Sequence, residues 1–340
     1  HDPVENIVLL TWFAFVVNMF AAVQDVAVDG MAIDVLPEDE RGRANAFMAF
    51  GQVAGYSGSA AICAIALVRF GLAGAAIVLA SGVFGIFVWG VIVRGRQGEK
   101  LLPWTEGVAT DRSVALQATD WTSILVNLLR VIVMPASSLL ILMALFWRIQ
   151  SGFWVTATPI VVVNQLGFSS TDYSSWIATA GFIAAVLGLV FGPMIDRSGS
   201  RKLLLSALIG LGALHTGAGL LVDLWTESWF LLVILFADQF LTQIIFICFI
   251  ALHMNICWER IAATQFAIYM AWSNLARSIG AGIYGELQPH LAMGQEFIVM
   301  GISCFLAAAM LSVVNIERHG QRLDELREDM EPQGDMSRTT

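Results

Sequence analysis

Gly192-Pro-Met-Ile-Asp196-Arg197-Ser-Gly199-Ser-Arg201-Lys202 is a short polar stretch between two long apolar runs. Its glycines permit tight turns and close helix approach, and Asp196 can cap a helix or pair with an arginine. The cluster of three basic residues belongs at the cytoplasmic face of a membrane. Just before it, Phe182 to Val190 is apolar on every face. A membrane-spanning strand would alternate apolar and polar residues; this run reads as a helix in lipid. The loop therefore joins two membrane-spanning helices.

The rest of the chain extends that reading. Of its 340 residues 57% are hydrophobic and only 13% charged, with a mean hydropathy of +0.74. Soluble domains carry roughly 25% charged residues, so water-soluble and disordered classes are excluded. The four cysteines are scattered, with no CxxC or Cys/His metal spacing, which predicts neither a disulfide scaffold nor a metal site. A net charge of −9 and dispersed basic residues argue against nucleic acid as a partner. An all-α integral membrane protein remains.

A spanning helix needs about 20 apolar residues. That yardstick predicts nine spans, near 6–33, 44–68, 72–93, 136–163, 174–195, 203–222, 229–255, 262–284 and 295–315. Lys and Arg concentrate in alternate loops (Arg41 and Arg43; Arg94 to Arg130; Arg197 to Lys202; Arg260) and in the tail. The opposite loops hold only Arg69. The positive-inside rule then puts the C-terminus in the cytoplasm and the N-terminus outside. Gly51-x-x-x-Gly55 and Gly188-x-x-x-Gly192 predict close helix approach. Trp residues near span ends, among them Trp12, Trp104, Trp225, Trp229 and Trp258, fit interfacial belts.

Four regions follow: three helices in 1–93, a cytoplasmic linker with an amphipathic helix in 94–135, a six-helix bundle in 136–316, and a cytoplasmic tail in 317–340. Glu40-Arg-Gly-Arg-Ala44-Asn-Ala-Phe47 and Glu259-Arg-Ile-Ala-Ala263-Thr-Gln-Phe266 share Glu-Arg, Ala and Phe at equal offsets, 219 residues apart. Six spans separate the copies, the offset two six-helix halves require. The odd span count, and a start at His1 just before a span, predict that three further helices precede this sequence.

The 192–202 loop resembles the GxxxDRxGxR[KR] signature of the major facilitator superfamily, where it joins the second and third helices of a half. That resemblance implies a helical bundle of twelve spans, of which about nine are present here. It also implies a gating loop made by Gly192, Asp196, Arg197, Gly199, Arg201 and Lys202. Gln24-Asp25-Val-Ala-Val-Asp29, followed by Asp34-Val-Leu-Pro-Glu-Asp-Glu-Arg-Gly42, is similar to the peptide/acetyl-CoA transporter branch. Ala263 to Ala267 with Arg277 and Gly280, and Leu166 to Ser169, resemble its muropeptide permeases. Gly51-Gln-Val-Ala-Gly-Tyr56 is closer to its acetyl-CoA transporters. Where the muropeptide permeases carry a lysine and an acid in the seventh helix, this sequence has Arg148 and Ser151.

Asp25 and Asp29, four apart, share a helix face. Paired carboxylates within a span suit reversible proton binding; equally, they suit a polar gate facing bases on neighbouring helices. Arg148, Asp238 and Arg277 lie within spans, beside Gln150, Gln239 and Asn274. Buried arginine keeps its charge, so each needs a partner, a cavity or water. These six residues are candidates for binding an anionic solute, and Asp238 joins Asp25 and Asp29 as a proton carrier. The alternative is a structural Arg148–Asp238 or Arg277–Asp238 pair. His215 and His253 read as polar groups packed between helices.

The expectation is a monomeric secondary transporter without a cofactor, in the bacterial cytoplasmic membrane. It would work by alternating access, with protons as the coupling ion and an anionic solute such as a muropeptide; an acetyl-CoA-type organic anion is the alternative. GxxxxGK[ST] is absent, so direct ATP drive is not expected. An intramembrane hydrolase is the rival class, but neither GxGD nor His-Glu-x-x-His occurs.

Overall fold

The computed structural model describes residues 6–93, 98, 100, 102, 104–108 and 121–330. Residues 94–97, 99, 101, 103 and 109–120 of the predicted linker, and the tail from 331, lie outside the described residues. Among those described, ten α-helices occur and no strand. They are α1 (Ile7–Val35), α2 (Arg41–Ile92), α3 (Trp121–Ile132), α4 (Pro135–Pro159), α5 (Ser170–Ser198), α6 (Ser200–Leu220), α7 (Ser228–Ile256), α8 (Ala262–Leu287), α9 (Met293–Ser312) and α10 (Ile316–Met330). In hydrocarbon every peptide group must find its partner within the chain, and a helix does this locally.

Seven of these helices are long and apolar enough to cross a membrane, among the described residues. The 52-residue α2 is one of them. At 1.5 Å per residue it would run to about 78 Å, more than two bilayer cores. Gly71, with φ 70° and ψ −174°, divides it where two spans were predicted. The buried Ala66 and Ala75 mark its two arms beside that break. The 26-residue α8 is not among the seven; Gln265, Ser273, Asn274 and Arg277 dilute its apolar content. With α2 counted as two arms and α8 included, the described helices correspond to the nine predicted spans.

Local signals set the ends. Ser169 caps α5 by accepting a bond from the Asp172 amide at 3.0 Å. Gly199, with φ 81°, separates α5 from α6. Pro159 cannot donate to the preceding turn, and α4 widens there into a π-helical segment, Ile160–Gln165.

The helices α4 to α9 form one bundle: α4 packs on α8 and α9, α6 on α7 and α9, and α5 on α7. Two buried clusters fill it. One lies around Trp147, Phe249, Phe266 and Leu311, the other around Phe153, Trp225 and Phe297. The crossing of α4 with α8 is backbone on backbone: a Cβ at Gly280 would strike Ile149 O, and one at Gly152 would strike Arg277 O. The predicted Gly51/Gly55 approach is not formed, for a Cβ at either would meet nothing within 4 Å. Trp225 and Trp258 are buried rather than placed in an interfacial belt, whereas Trp12, Trp104 and Trp229 are exposed. Trp225 donates its indole N–H to Ala218 O at 2.9 Å, a partner within the bundle.

The first helices meet this bundle through α1 on α8 and α2 on α5 and α7. Elements α1, Glu38–Glu40 and the start of α2 match α7, Glu259–Ile261 and the start of α8, with each bound 221 residues later. Both copies are a 29-residue helix, a 3₁₀ turn and a new helix. The structural offset exceeds the sequence match of 219 by two residues, the usual spread of helix boundaries. Outside the bundle, α3 and α10 share a cluster in which Leu128, Val131 and Leu323 pack with Trp258 and Ile261.

Candidate gate and solute site

The 192–202 stretch meets the Glu40-Arg41-Gly42-Arg43 turn at the seam between α5 and α2. The Asp196 carboxylate accepts hydrogen bonds from the amides of Gly42 (2.7 Å) and Arg43 (3.2 Å). It also accepts one from Arg43 Nε at 3.1 Å, an ion pair in which the Asp196 side chain is 10% exposed. Asp196 thus caps the first turn of α2 from a different helix, placing an anion at the positive end of that helix. Both readings of Asp196, as cap and as arginine partner, describe this one contact.

A second contact has the opposite polarity. Arg41 Nη1 donates to Met254 O at 3.2 Å and Asn255 Oδ1 at 2.8 Å, at the C-terminal end of α7. A cation there meets the negative helix end. Only small residues allow this fit. A Cβ on Gly42 would run into the Asp196 carboxylate and come within 2.9 Å of Gly192 O; one on Gly192 would lie 2.9 Å from Arg43 Cα. At the neighbouring seam, a Cβ on Gly30 of α1 would lie 3.1 Å from Ala263 Cβ of α8.

The other residues of the 192–202 stretch behave differently. Arg201 Nη2 donates to Ser312 O at 2.7 Å, fastening α6 to the end of α9 rather than to the first helices. Arg197 and Lys202 are exposed, and Gly199 serves as the turn between α5 and α6. Sequence reasoning missed Gly42 and Arg43 as partners of Asp196 and Arg41 as a partner of the end of α7. The signal was present in Glu-Arg-Gly-Arg, where a glycine at the start of a helix leaves backbone N–H groups approachable.

Deeper in the bundle, Arg148 of α4 donates through Nη2 to Asn274 Oδ1 at 3.0 Å and through Nε to Ser273 O at 3.3 Å. It also lies 5.2 Å from the Trp147 ring centroid. Arg277, three residues beyond Asn274 on α8, is exposed. Arg148, Asn274 and Arg277 are therefore gathered at the α4–α8 crossing. No carboxylate pairs with either arginine among the described residues.

Asp238 has a different partner from either one anticipated. It lies 3.0 Å from His215 Nε2, with the two side chains 1% and 0% exposed. The imidazole stacks on Trp154, ring centroids 5.0 Å apart. Both anticipated Arg–Asp238 pairs are thus replaced by a bond between α6 and α7. Gln239, the next residue, turns toward α5, where a Cβ on Gly181 would lie 3.6 Å from its Oε1. Gln150 is buried. Asp25 is exposed and Asp29 half-buried, directly before Gly30 at the α1–α8 seam. His253 is buried and bonds Phe249 O through Nδ1 at 2.8 Å. No cluster of His, Cys, Asp or Glu suited to a metal occurs among the described residues.

The sequence model of the Major Facilitator Superfamily matches residues 4–281, most of the chain. The chain belongs to that superfamily. It is a multi-pass integral membrane protein with the helical bundle of the major facilitator superfamily, and this membership sets aside the intramembrane-hydrolase reading. It is similar to the anhydromuropeptide permeases of Escherichia coli strains K12 and O157:H7, each 24% identical over 299 residues. Those alignments cover 81% of this chain and 54% of the relative, so the chain spans about half the length of the curated relatives it matches.

Proposed function

We propose that the protein is a secondary transporter that moves a muropeptide-like anion by alternating access, and that the geometry described is its form closed at the basic-loop end. The observation that carries the solute class is Arg148. It is held by an amide oxygen and a backbone carbonyl, neither of which cancels its charge. With Arg277 one turn beyond Asn274, the α4–α8 crossing presents two cations and a polar amide. A guanidinium with an open donor edge binds carboxylate or phosphate through paired charge-assisted bonds. The 24% identity to anhydromuropeptide permeases supports a solute of that class.

Asp196 and Arg41 would hold the basic-loop end shut through polar bonds that water can replace, which suits a gate better than an apolar seam does. The basic loops and the tail then face the cytoplasm, in a bacterial inner membrane, and the transporter acts as a monomer. Protons are the proposed coupling ion. Asp25 and Asp29, next to the α1–α8 seam, are the first candidates to carry them, and the Asp238–His215 pair is the third. Uptake of a labelled anhydromuropeptide into vesicles containing the protein tests this reading. Uptake should collapse when an uncoupler is added and should fall at least about tenfold in Arg148→Gln, the loss of one charge-assisted interaction. Uptake indifferent to the uncoupler would reject proton drive, and normal uptake by Arg148→Gln would remove that residue from the solute site.

A further inference from the structure

A cavity of about 120 Å³ opens at the basic-loop end of the bundle, away from the gate, between the first turn of α4 and the start of α10. Its polar side is formed by Asn315, Arg318, His319 and Arg322, its apolar side by residues that include Leu139 and Val313. Among the described residues, no carboxylate lines it. Arg318 is exposed and Arg322 half-buried, and neither forms an ion pair among the described residues. The N-terminus of a 25-residue helix faces the same space, adding the positive end of the α4 dipole.

The independent sign of a ligand is His319. It is only 3% exposed, and its Nε2 lies 3.0 Å from Ile256 O. A carbonyl can only accept, so Nε2 carries the proton and a neutral ring presents a lone pair at Nδ1. That Nδ1 is buried without a hydrogen-bond partner, on a residue that lines the cavity. Two cations and a helix N-terminus call for an anion; a lone acceptor beside them calls for a hydroxyl donor. The apolar wall lies where α4 enters the membrane and α9 leaves it, with Val313 63% exposed. A ligand with a phosphodiester, a neighbouring hydroxyl and acyl chains satisfies all three sides.

We propose that this cavity binds the headgroup of an anionic glycerophospholipid, with the phosphodiester at Arg318 and Arg322 and a headgroup hydroxyl donating to His319 Nδ1. The lipid would fix α10 to the bundle at the membrane surface, beside the Arg201 contact that joins α6 to the end of α9.

Native mass spectrometry of the full chain released from detergent, titrated with dioctanoyl phosphatidylglycerol or dioctanoyl phosphatidylcholine, tests the proposal. Phosphatidylglycerol should bind about tenfold or more tightly than phosphatidylcholine, since each basic side chain near an anionic headgroup contributes several-fold. The double substitution Arg318→Gln/Arg322→Gln should erase the preference, and Arg318→Gln alone, at an exposed position, should reduce it. Arg260→Gln, at an exposed basic position outside the cavity, should keep it. Equal binding of the two lipids, an unchanged preference in the double variant, or an equal loss in Arg260→Gln would overturn it. So would displacement of the lipid by inorganic phosphate at equal concentration, which would mark a bare anion site.

Discussion

A single carboxylate, that of Asp196, joins α5 to the first turn of α2. Asp196 receives three bonds from the Gly42–Arg43 corner. Replacing it with Asn keeps an acceptor for the Gly42 amide but removes the charge, a loss of about 1 kcal/mol or more at a partly exposed site. Gly42→Ala acts from the other side, because its new Cβ would occupy the place of the Asp196 carboxylate. Overpacking of this kind costs about 1–3 kcal/mol, charged here to the closed form alone. In both variants hydrogen exchange of the amides of residues 41–46 should accelerate, by about tenfold in Gly42→Ala; unchanged exchange would show that the contact does not hold the seam. Asp196 was legible in the sequence as a polar group in a glycine-flanked loop between apolar runs. Its partner was not, because which helix N-terminus it reaches depends on a contact 154 residues away in sequence. Asp238 shows the same limit. Its need for a partner could be read from its place in an apolar run, but the choice of His215 over either arginine depends on a contact between α6 and α7 that forms only in the folded bundle.

Two contacts between helices, the α4–α8 crossing and the docking of α10, depend on close packing. Gly280→Val places a branched side chain where Ile149 backbone atoms already lie. The α4–α8 crossing should lose about 1–3 kcal/mol, visible as a lower melting temperature in detergent; an unchanged melting temperature would contradict this packing. For α10 the lever is pH. Burial, and secondarily the nearby Arg322, hold the His319 imidazole below its ordinary value of 6.5, although its bond to Ile256 O works the other way. The undocked helix therefore takes up a proton first. The contribution of His319 to docking is complete above about pH 6.5 and is lost as pH falls through the lower value of the docked ring. Exchange of α10 amides in lipid-free detergent, corrected for intrinsic rates, should rise between pH 7 and pH 5, whereas a flat profile would exclude this coupling. Apolar run length located the helices well. It failed at Gly51 and Gly55, since small-x-x-x-small spacing permits close approach without naming a neighbour. At Gly188 and Gly192 neighbours do come close, whereas the Gly152–Gly280 approach joins helices that meet only in the folded bundle.

At the scale of the molecule, the repeated unit of a 29-residue helix, a 3₁₀ turn and a following helix appears once at the start of the chain and again in the second bundle. The sequence carried this symmetry as four matching residues, enough to suggest two related parts and their spacing. The 192–202 side of the seam was legible as a motif, but its partner was not, since Asp196 is met by the Gly42 and Arg43 amides of a distant helix start. Under the proposed alternating access, transport requires the α1–α8 and α2–α5 seams to open and close. Gly30→Cys with Ala263→Cys, in a protein whose own Cys63, Cys248, Cys257 and Cys304 are replaced by Ser or Ala, tests it directly. A Cβ at Gly30 lies 3.1 Å from Ala263 Cβ, a small adjustment away from the roughly 3.8 Å of a disulfide. Uptake measured before and after oxidation should fall to background when the bond forms and return when it is reduced. Full uptake with the two cysteines verifiably linked would contradict the account.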